Sequence, residues 1–155
     1  MNKELMFSSK NQEWSTPKDL FKILDMEFNF QWDLAASSNN TKCKSYFSIE
    51  DGSALDIDWY EYFNECNING YLWLNPPYGR SISEWVKKCY IESQKGVKIV
   101  ALLPARTDTK WFHSYIYKKF DIRFLKGRIK FLLHNEEQDA APFPSMIVIF
   151  DKQND

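Results

Sequence analysis

Apolar positions along this chain follow two rhythms, one helical and one extended, and the two alternate. Leu20, Phe21, Ile23, Leu24 and Phe28 recur at helical spacing behind Thr16-Pro17-Lys18-Asp19. That tetrapeptide predicts a helix start. Thr16 can cap, proline suits the first helical position because its missing N–H is not needed there, and Asp19 favours the positive end of the helix dipole. Residues 30–36 form the first predicted strand, ending in Asp33-Leu34-Ala35-Ala36. Residues 37–56, rich in Ser, Asn and Asp, predict a loop holding a short strand at Tyr46-Phe47 and a helical turn. Tyr71-Leu72-Trp73-Leu74 is the next strand. Ser81-Ile82-Ser83-Glu84 has the capping-box pattern and opens a helix with Ile82, Trp85, Val86 and Cys89 on one face, ended by Gly96. Residues 97–103 are a continuous apolar run and predict a buried strand. Asp108 is placed to cap a helix bearing Trp111, Phe112, Tyr115 and Ile116. Runs at 121–125, 128–133 and 145–150 predict the last strands.

Strands alternating with helices predict an α/β fold with a mostly parallel sheet and helices on both faces. The final two runs have no helix between them, so they are expected to pair antiparallel as a hairpin-like ending. Residues 1–155 read as one domain, with a core of about residues 14–150 and a polar, frayed tail from Lys152.

Chemistry enters at Asn75-Pro76-Pro77-Tyr78, directly after an apolar strand. Each proline ring fixes φ and removes a donor, so the strand stops and nearby carbonyls lack a strand partner. Asn75 adds a side-chain acceptor and Tyr78 a flat face. Acceptors beside an aromatic platform suit a planar group bearing an NH₂. The loop resembles motif IV of S-adenosylmethionine-dependent methyltransferases that act on exocyclic or amide nitrogens.

Charge sharpens this. Residues 1–78 carry 6 Lys/Arg against 12 Asp/Glu, residues 79–130 carry 13 against 4, and residues 131–155 carry 1 against 5. The basic middle block begins just after the Asn75 loop and points to a polyanionic partner; solvated helix faces are the alternative. Cys43, Cys66 and Cys89 are far apart, which predicts reduced thiols and neither a zinc site nor a disulfide framework. No apolar run approaches the roughly 20 residues that span a bilayer, and Met1 to Lys10 lack the apolar stretch of a signal peptide. The expected setting is the cytoplasm, with no membrane partner and no metal. The number of subunits is not legible.

Eight ordered blocks extend the resemblance to nearly the whole chain. They are Trp14-Ser15-Thr16-Pro17, Asp33-Leu34-Ala35-Ala36, Asn40-Thr41-Lys42-Cys43, Asp58-Trp59, Asn75-Pro76-Pro77-Tyr78-Gly79, Leu103 through His113, Gly127-Arg128-Ile129-Lys130-Phe131 and Ala141-Pro142-Phe143-Pro144-Ser145. Together they resemble the phage and prophage Dam-like DNA N6-adenine methyltransferases. The resemblance implies a Rossmann-like class I methyltransferase sheet, S-adenosylmethionine as donor and adenine N6 in DNA as acceptor. If the chain is phage-encoded, the compartment is the bacterial host's cytoplasm.

Carried onto this sequence, the resemblance implies donor contacts from Trp14, Thr16, Pro17, Asp33, Ala35, Ala36 and Asn75. Asp56 or Asp58 is a candidate for the donor's adenine, and Glu50 and Asp51 are candidates for its ribose. Asn75, Pro76, Pro77 and Tyr78 would hold the reacting amine. Arg80, Arg106, Thr107, Lys110, Arg128 and Lys130 are the DNA-contact candidates, with Asp108 capping as the competing role for the 106–110 loop. His113 reads as a structural helix residue. Phe143, between two prolines, is open to wedging into DNA or packing on the core. One departure stands out: Asp33 through Ser38 has no glycine where the family's motif I has a glycine-rich turn. The rival functions are methylation of RNA adenine or of a protein glutamine amide, and a catalytically inactive DNA-binding module.

Overall fold

The computed structural model describes residues 14–49 and 53–152. Glu50, Asp51, the polar start of the chain and the tail beyond Lys152 lie outside the described residues. The helices are α1 (Lys18–Phe28), α2 (Trp59–Glu65), α3 (Ile82–Gln94) and α4 (Lys110–Tyr115). The strands are β1 (Asp33–Ala36), β2 (Tyr46–Ser48), β3 (Tyr71–Leu74), β4 (Lys98–Pro104), β5 (Asp121–Phe124), β6 (Leu132–Leu133), β7 (Glu136–Glu137) and β8 (Ser145–Phe150). Ala54–Asp56 forms a short 3₁₀ turn. Among the described residues no helix is long and apolar enough to cross a membrane.

Six strands make one sheet in the order β2-β1-β3-β4-β8-β5. β2, β1, β3 and β4 are mutually parallel, and β8 runs antiparallel to both β4 and β5. The apolar runs of β4 and β8 explain their central place: β4 is buried from Ile99 to Pro104 and β8 throughout. The antiparallel last strand is as expected, but its partner is not. Residues 128–131 form no strand and do not join the sheet, and β6 pairs with β7 and, through Leu132, with Ser15. β8 instead inserts between β4 and β5, where its five apolar side chains and Ser145 are buried from both sides.

Helices cover both faces. On one, Phe21 of α1 meets Trp73 edge-on at 5.3 Å and Phe28 meets Tyr71 at 4.9 Å. On the other, Tyr90 of α3 packs on Phe120, which packs on Phe150. Leu72, Ile99 and Phe150 are in register, so they share that second face. The α1 pattern holds at Leu24, which is buried, and fails at Ile23, which is 65% exposed.

Helix α2 is not expected from the apolar spacing, because it is one short segment. Its start was nevertheless written in a local pattern, Asp58-x-x-Glu61: Asp58 Oδ1 accepts the Glu61 N–H at 3.0 Å. The wholly buried Glu92 of α3 binds the same helix start, accepting from Trp59 N and Tyr60 N at 3.0 and 3.1 Å. Three expected caps shift. Thr16 and Ser81 make no side-chain cap bond, and Thr109 rather than Asp108 caps α4.

Candidate active site

Strand direction brings the chemistry to one place. β1, β3 and β4 are parallel, so the loops at 37–43, 75–81 and 105–109 leave the same sheet edge. β8 starts there too, because Ser145 is opposite Pro104 and the Ala105 N–H donates to the Pro144 carbonyl at 2.8 Å. β5 ends there, with Leu125 N–H on the Ser145 carbonyl at 3.0 Å. The strand order reverses beside β1, whose neighbours are β2 and β3. Crevices outside the carboxyl ends of strands at such a reversal bind ligands in open α/β sheets.

On the β1 side, the loop is shaped by side chains that accept backbone N–H groups. Asp33 Oδ1 accepts from Ala35 at 3.2 Å and Oδ2 from Lys42 at 3.0 Å. Asn40 Oδ1 accepts from Ser37 at 2.7 Å, while Ser37 O accepts from Asn40 and Thr41. These bonds fold residues 37–43 back on the strand end without any glycine. Asp33 is 3% exposed. Its two N–H donors favour the carboxylate, but burial outweighs them and pushes the carboxyl up to about 7. Burial also pushes the neighbouring Cys43 thiol up to about 12, so it stays protonated and is no nucleophile. The Ser37 hydroxyl is wholly buried and has no hydrogen-bond partner among the described residues.

Asn75 stands where β3 ends. Its Nδ2 donates to Thr16 Oγ1 at 3.2 Å, and Thr16 is buried. The residue expected to cap α1 thus orients the Asn75 amide. Ser15 next to it exchanges two 2.9 Å backbone bonds with Leu132, which ties the start of the described chain to the β6–β7 hairpin. Ser15, Asn39, Asn40, His134 and Asn135 enclose a polar cavity of about 310 Å³.

On the β4 side lies a more apolar cavity of about 520 Å³, lined by Tyr78, Arg80, Ile82, Pro104, Arg106, Trp111 and Phe143, among others. Tyr78 is no free platform. It is 7% exposed, its edge contacts involve Phe131 and Phe143, and its hydroxyl donates to the Leu102 carbonyl at 2.9 Å. Burial pushes the phenol up, so it remains a donor. Phe143 packs inward at 6% exposure, which settles its orientation toward the core. Arg106 lies over its ring, 5.8 Å from the centroid. Trp111 and Ile82 join this cavity without having been site candidates, and Phe143, open to either role from the sequence, joins it from the core side. Trp111 follows Lys110 directly and Arg106 by five residues, the one local signal that pointed there.

The remaining candidates spread out. Pro76 is buried and Pro77 half-buried behind Asn75; Trp14 and Pro17 are half-buried beside Thr16, Ala35 half-buried and Ala36 buried in β1. Thr107 and Lys110 are exposed at the start of α4, and Thr107's carbonyl accepts from His113 Nε2 at 2.7 Å, a structural role for that histidine. Arg128 Nη1 donates to the Ala141 carbonyl at 3.3 Å, and Lys130 is 3.7 Å from Glu137. Asp56 is exposed at the end of the 3₁₀ turn. Asp58 is already used: one oxygen caps α2 and the other meets Lys95 Nζ at 3.2 Å, past the end of α3. α3 leaves the site edge and runs to the opposite one, so Asp58 sits away from the loops described above.

The basic block divides in the same way. Arg80, Arg106 and Lys110 are at the site edge, while Lys95, Lys118 and Lys119 are at the far edge. Arg123 is held by Glu27, at 2.5 and 2.7 Å.

This α/β sheet, with one antiparallel strand and an Asn-Pro-Pro-Tyr loop at the end of a central parallel strand, is consistent with a methyltransferase-like fold. A family model for DNA N-6-adenine-methyltransferase (Dam) matches residues 4–155, and the chain belongs to that family. A DNA N-6-adenine-methyltransferase of Haemophilus phage HP1 (strain HP1c1) is 28% identical over 156 residues, covering 97% of this chain and 85% of that protein. A protein of the same description from Escherichia phage T1 is 34% identical over 100 residues, which is 64% of this chain and 38% of the relative.

Proposed function

We propose that this protein transfers a methyl group from S-adenosylmethionine to N6 of adenine in DNA, as one domain over residues 1–155 with a Rossmann-like methyltransferase sheet, in the cytoplasm of a bacterial host. The observation that carries the reading is the meeting, at one sheet edge, of the Asn75–Tyr78 loop, Thr16 and the two cavities. The family description supports the activity.

The β1 side fits the donor. A wholly buried Ser37 hydroxyl without a partner among the described residues suits a polar ligand. Trp14, Thr16, Pro17, Ala35, Ala36, Ser37 and Asn75 would hold it, with Asp56 as the acid at its adenine. Asp33 acts through the loop it shapes. When bound, S-adenosylmethionine supplies an electrophilic methyl on a positively charged sulfur.

The chain's own task is to present the acceptor. Adenine N6 is out of reach inside a duplex, so the base is extruded into the β4-side cavity. Thr16 takes the Asn75 N–H, which leaves Asn75 Oδ1 as the acceptor for one N6 hydrogen. The Pro76 carbonyl takes the other. Both bonds localise the amine's lone pair, and the proton N6 sheds on methylation leaves to solvent. No residue is needed as a strong base beforehand, and positioning is the main contribution. Tyr78 forms a rigid wall rather than an open stacking plate. Arg80, Arg106, Thr107 and Lys110 meet phosphates at the mouth, with Arg128 and Lys130 further along the same edge.

The test is methyl transfer from labelled donor to DNA, RNA and protein, followed by nucleoside digestion. N6-methyladenine from DNA is expected. Label only in RNA adenine or in glutamine would move the reading to those substrates, and no label in any of them would end it.

A further inference from the structure

The cavity wall on the β4 side is tied together more closely than a base-binding wall requires. Residues 141–144 are anchored on both flanks: Ala141 N–H donates to the Ile129 carbonyl at 2.8 Å, and the Pro144 carbonyl accepts from Ala105 at 2.8 Å. Pro142 and Pro144 fix φ on either side of Phe143, so the ring has little backbone freedom. The ring then makes two contacts at once. Tyr78 meets it edge-on, with centroids 5.6 Å apart and planes at 72°, and the Arg106 guanidinium stands 5.8 Å from its centroid. Phe131 closes the cluster against Tyr78.

Arg106 differs from Arg123 and Arg128, and from the equally exposed Arg80 in lying over a ring. Arg123 is held by Glu27 and Arg128 by a carbonyl. Arg106 is exposed, and among the described residues no carboxylate lies within ion-pair distance of it. Its guanidinium is therefore oriented by a ring and left without a counter-charge, an arrangement suited to an incoming anion.

We infer that Phe143 is a positioning residue for DNA capture, coupling the Arg106 phosphate grip to the Tyr78 wall so that the two move as one piece. The inference rests on the proposed DNA substrate and deepens it. Arg106 alone would be a long side chain in solvent, and ordering it on a phosphate would cost rotamer entropy at each encounter. Held over the ring, that ordering is already done. Because the same ring braces Tyr78, a phosphate seated on Arg106 sets the distance to the extruded base.

A double-mutant cycle tests this, with KM for DNA, kcat, donor affinity and Tm measured on each protein. Phe143→Leu and Arg106→Gln should each raise KM for DNA by about tenfold, and the double variant should be scarcely worse than either alone, because contacting residues are non-additive. Phe143→Tyr keeps the ring and should restore KM. Donor affinity should not change. Multiplicative effects in the double variant would overturn the coupling, as would a Phe143→Leu protein that loses Tm but keeps its KM for DNA. If Phe143→Leu does not fold, Arg106→Lys carries the test. An ammonium keeps the charge and lacks the flat face, so KM should still rise; an unchanged KM would overturn the role of the ring. A wild-type protein that methylates no DNA would sink the substrate reading instead, a result separable from any of these.

Discussion

Around β1 the chain shapes its loop with Asp33 and Asn40, polar side chains that accept backbone N–H groups; around β4 it shapes a cavity with Tyr78, Phe131 and Phe143, rings that lock edge to face. Hydrogen bonds fix direction, so the first arrangement can hold one small, polar ligand in one pose. Ring packing fixes shape while leaving the surface apolar, and the free cations sit at its rim. The two sides meet at Asn75, which the proposed mechanism has serve both. A site built this way separates donor binding from DNA capture, and substitutions should divide along that line.

The largest effect is expected where the sides meet. Asn75→Ala should lower kcat by about a hundredfold or more, with Tm little changed and donor affinity reduced far less than kcat, since one positioned polar partner is worth that much in a closed site. Thr16→Val, which frees the Asn75 amide to turn, should cost about tenfold in kcat, and Thr16→Ser should recover it. Equal kcat in Thr16→Val and wild type would remove Thr16 from the mechanism.

Next comes the β1 side. Asp33 is neutral more readily when folded than when unfolded, because burial raises its carboxyl to about 7. The folded state therefore holds its proton over a range where the unfolded chain has lost it. The stability of wild type minus that of Asp33→Asn should fall as pH rises from about 4 to about 7, and stay level above. Urea unfolding at steps across this range reads the slope; a rising difference would show that the two N–H donors outweigh burial after all. Donor affinity should drop in Asp33→Asn while the DNA salt response stays put.

On the β4 side, Arg80→Ala and Arg106→Ala should each reduce the slope of log affinity for DNA against log salt by about one, with donor affinity intact. Lys118→Ala, at the far edge, should leave that slope unchanged. The smallest effect belongs to Tyr78→Phe. It retains the ring and deprives the Leu102 carbonyl of its donor, costing about 1 kcal/mol or roughly 2–4 °C in Tm, with most activity kept.

Much of the sheet was legible because its central strands are continuous apolar runs, and β3, β4 and β8 fall almost where the pattern puts them. The Asn75 loop was legible for the same reason, since two prolines after such a run leave few alternatives. What failed depended on distant partners. Thr16 before Pro17 has the local look of a cap, yet its hydroxyl goes to Asn75. Tyr78 looked like an open face because Phe131 and Phe143, which enclose it, come much later in the chain. β8 was paired with the wrong run because adjacency in sequence favours a hairpin, whereas burial on both faces favours the centre of the sheet. The basic block looked like one surface because charge per segment ignores chain direction: Arg80, Arg106 and Lys110 stay at the site edge, whereas Lys95 past the end of α3 and Lys118 and Lys119 before β5 lie at the far one.

The place of β8 also has a consequence in time. β5 is synthesised before β8, yet among the described residues β8 is its sole strand neighbour, so Asp121–Phe124 has no described strand to pair with until Ser145–Phe150 arrives. The parallel strands and the Asn75 loop can assemble from earlier chain, whereas the wall formed by residues 141–144 and the far strand must wait for the final segment. Pulsed hydrogen exchange during refolding should show amides of β3 and β4 protected first, with those of β5 and β8 gaining protection together; early, independent protection of β5 would contradict this order. The half of the site that would grip a polyanion is thus the last half to exist.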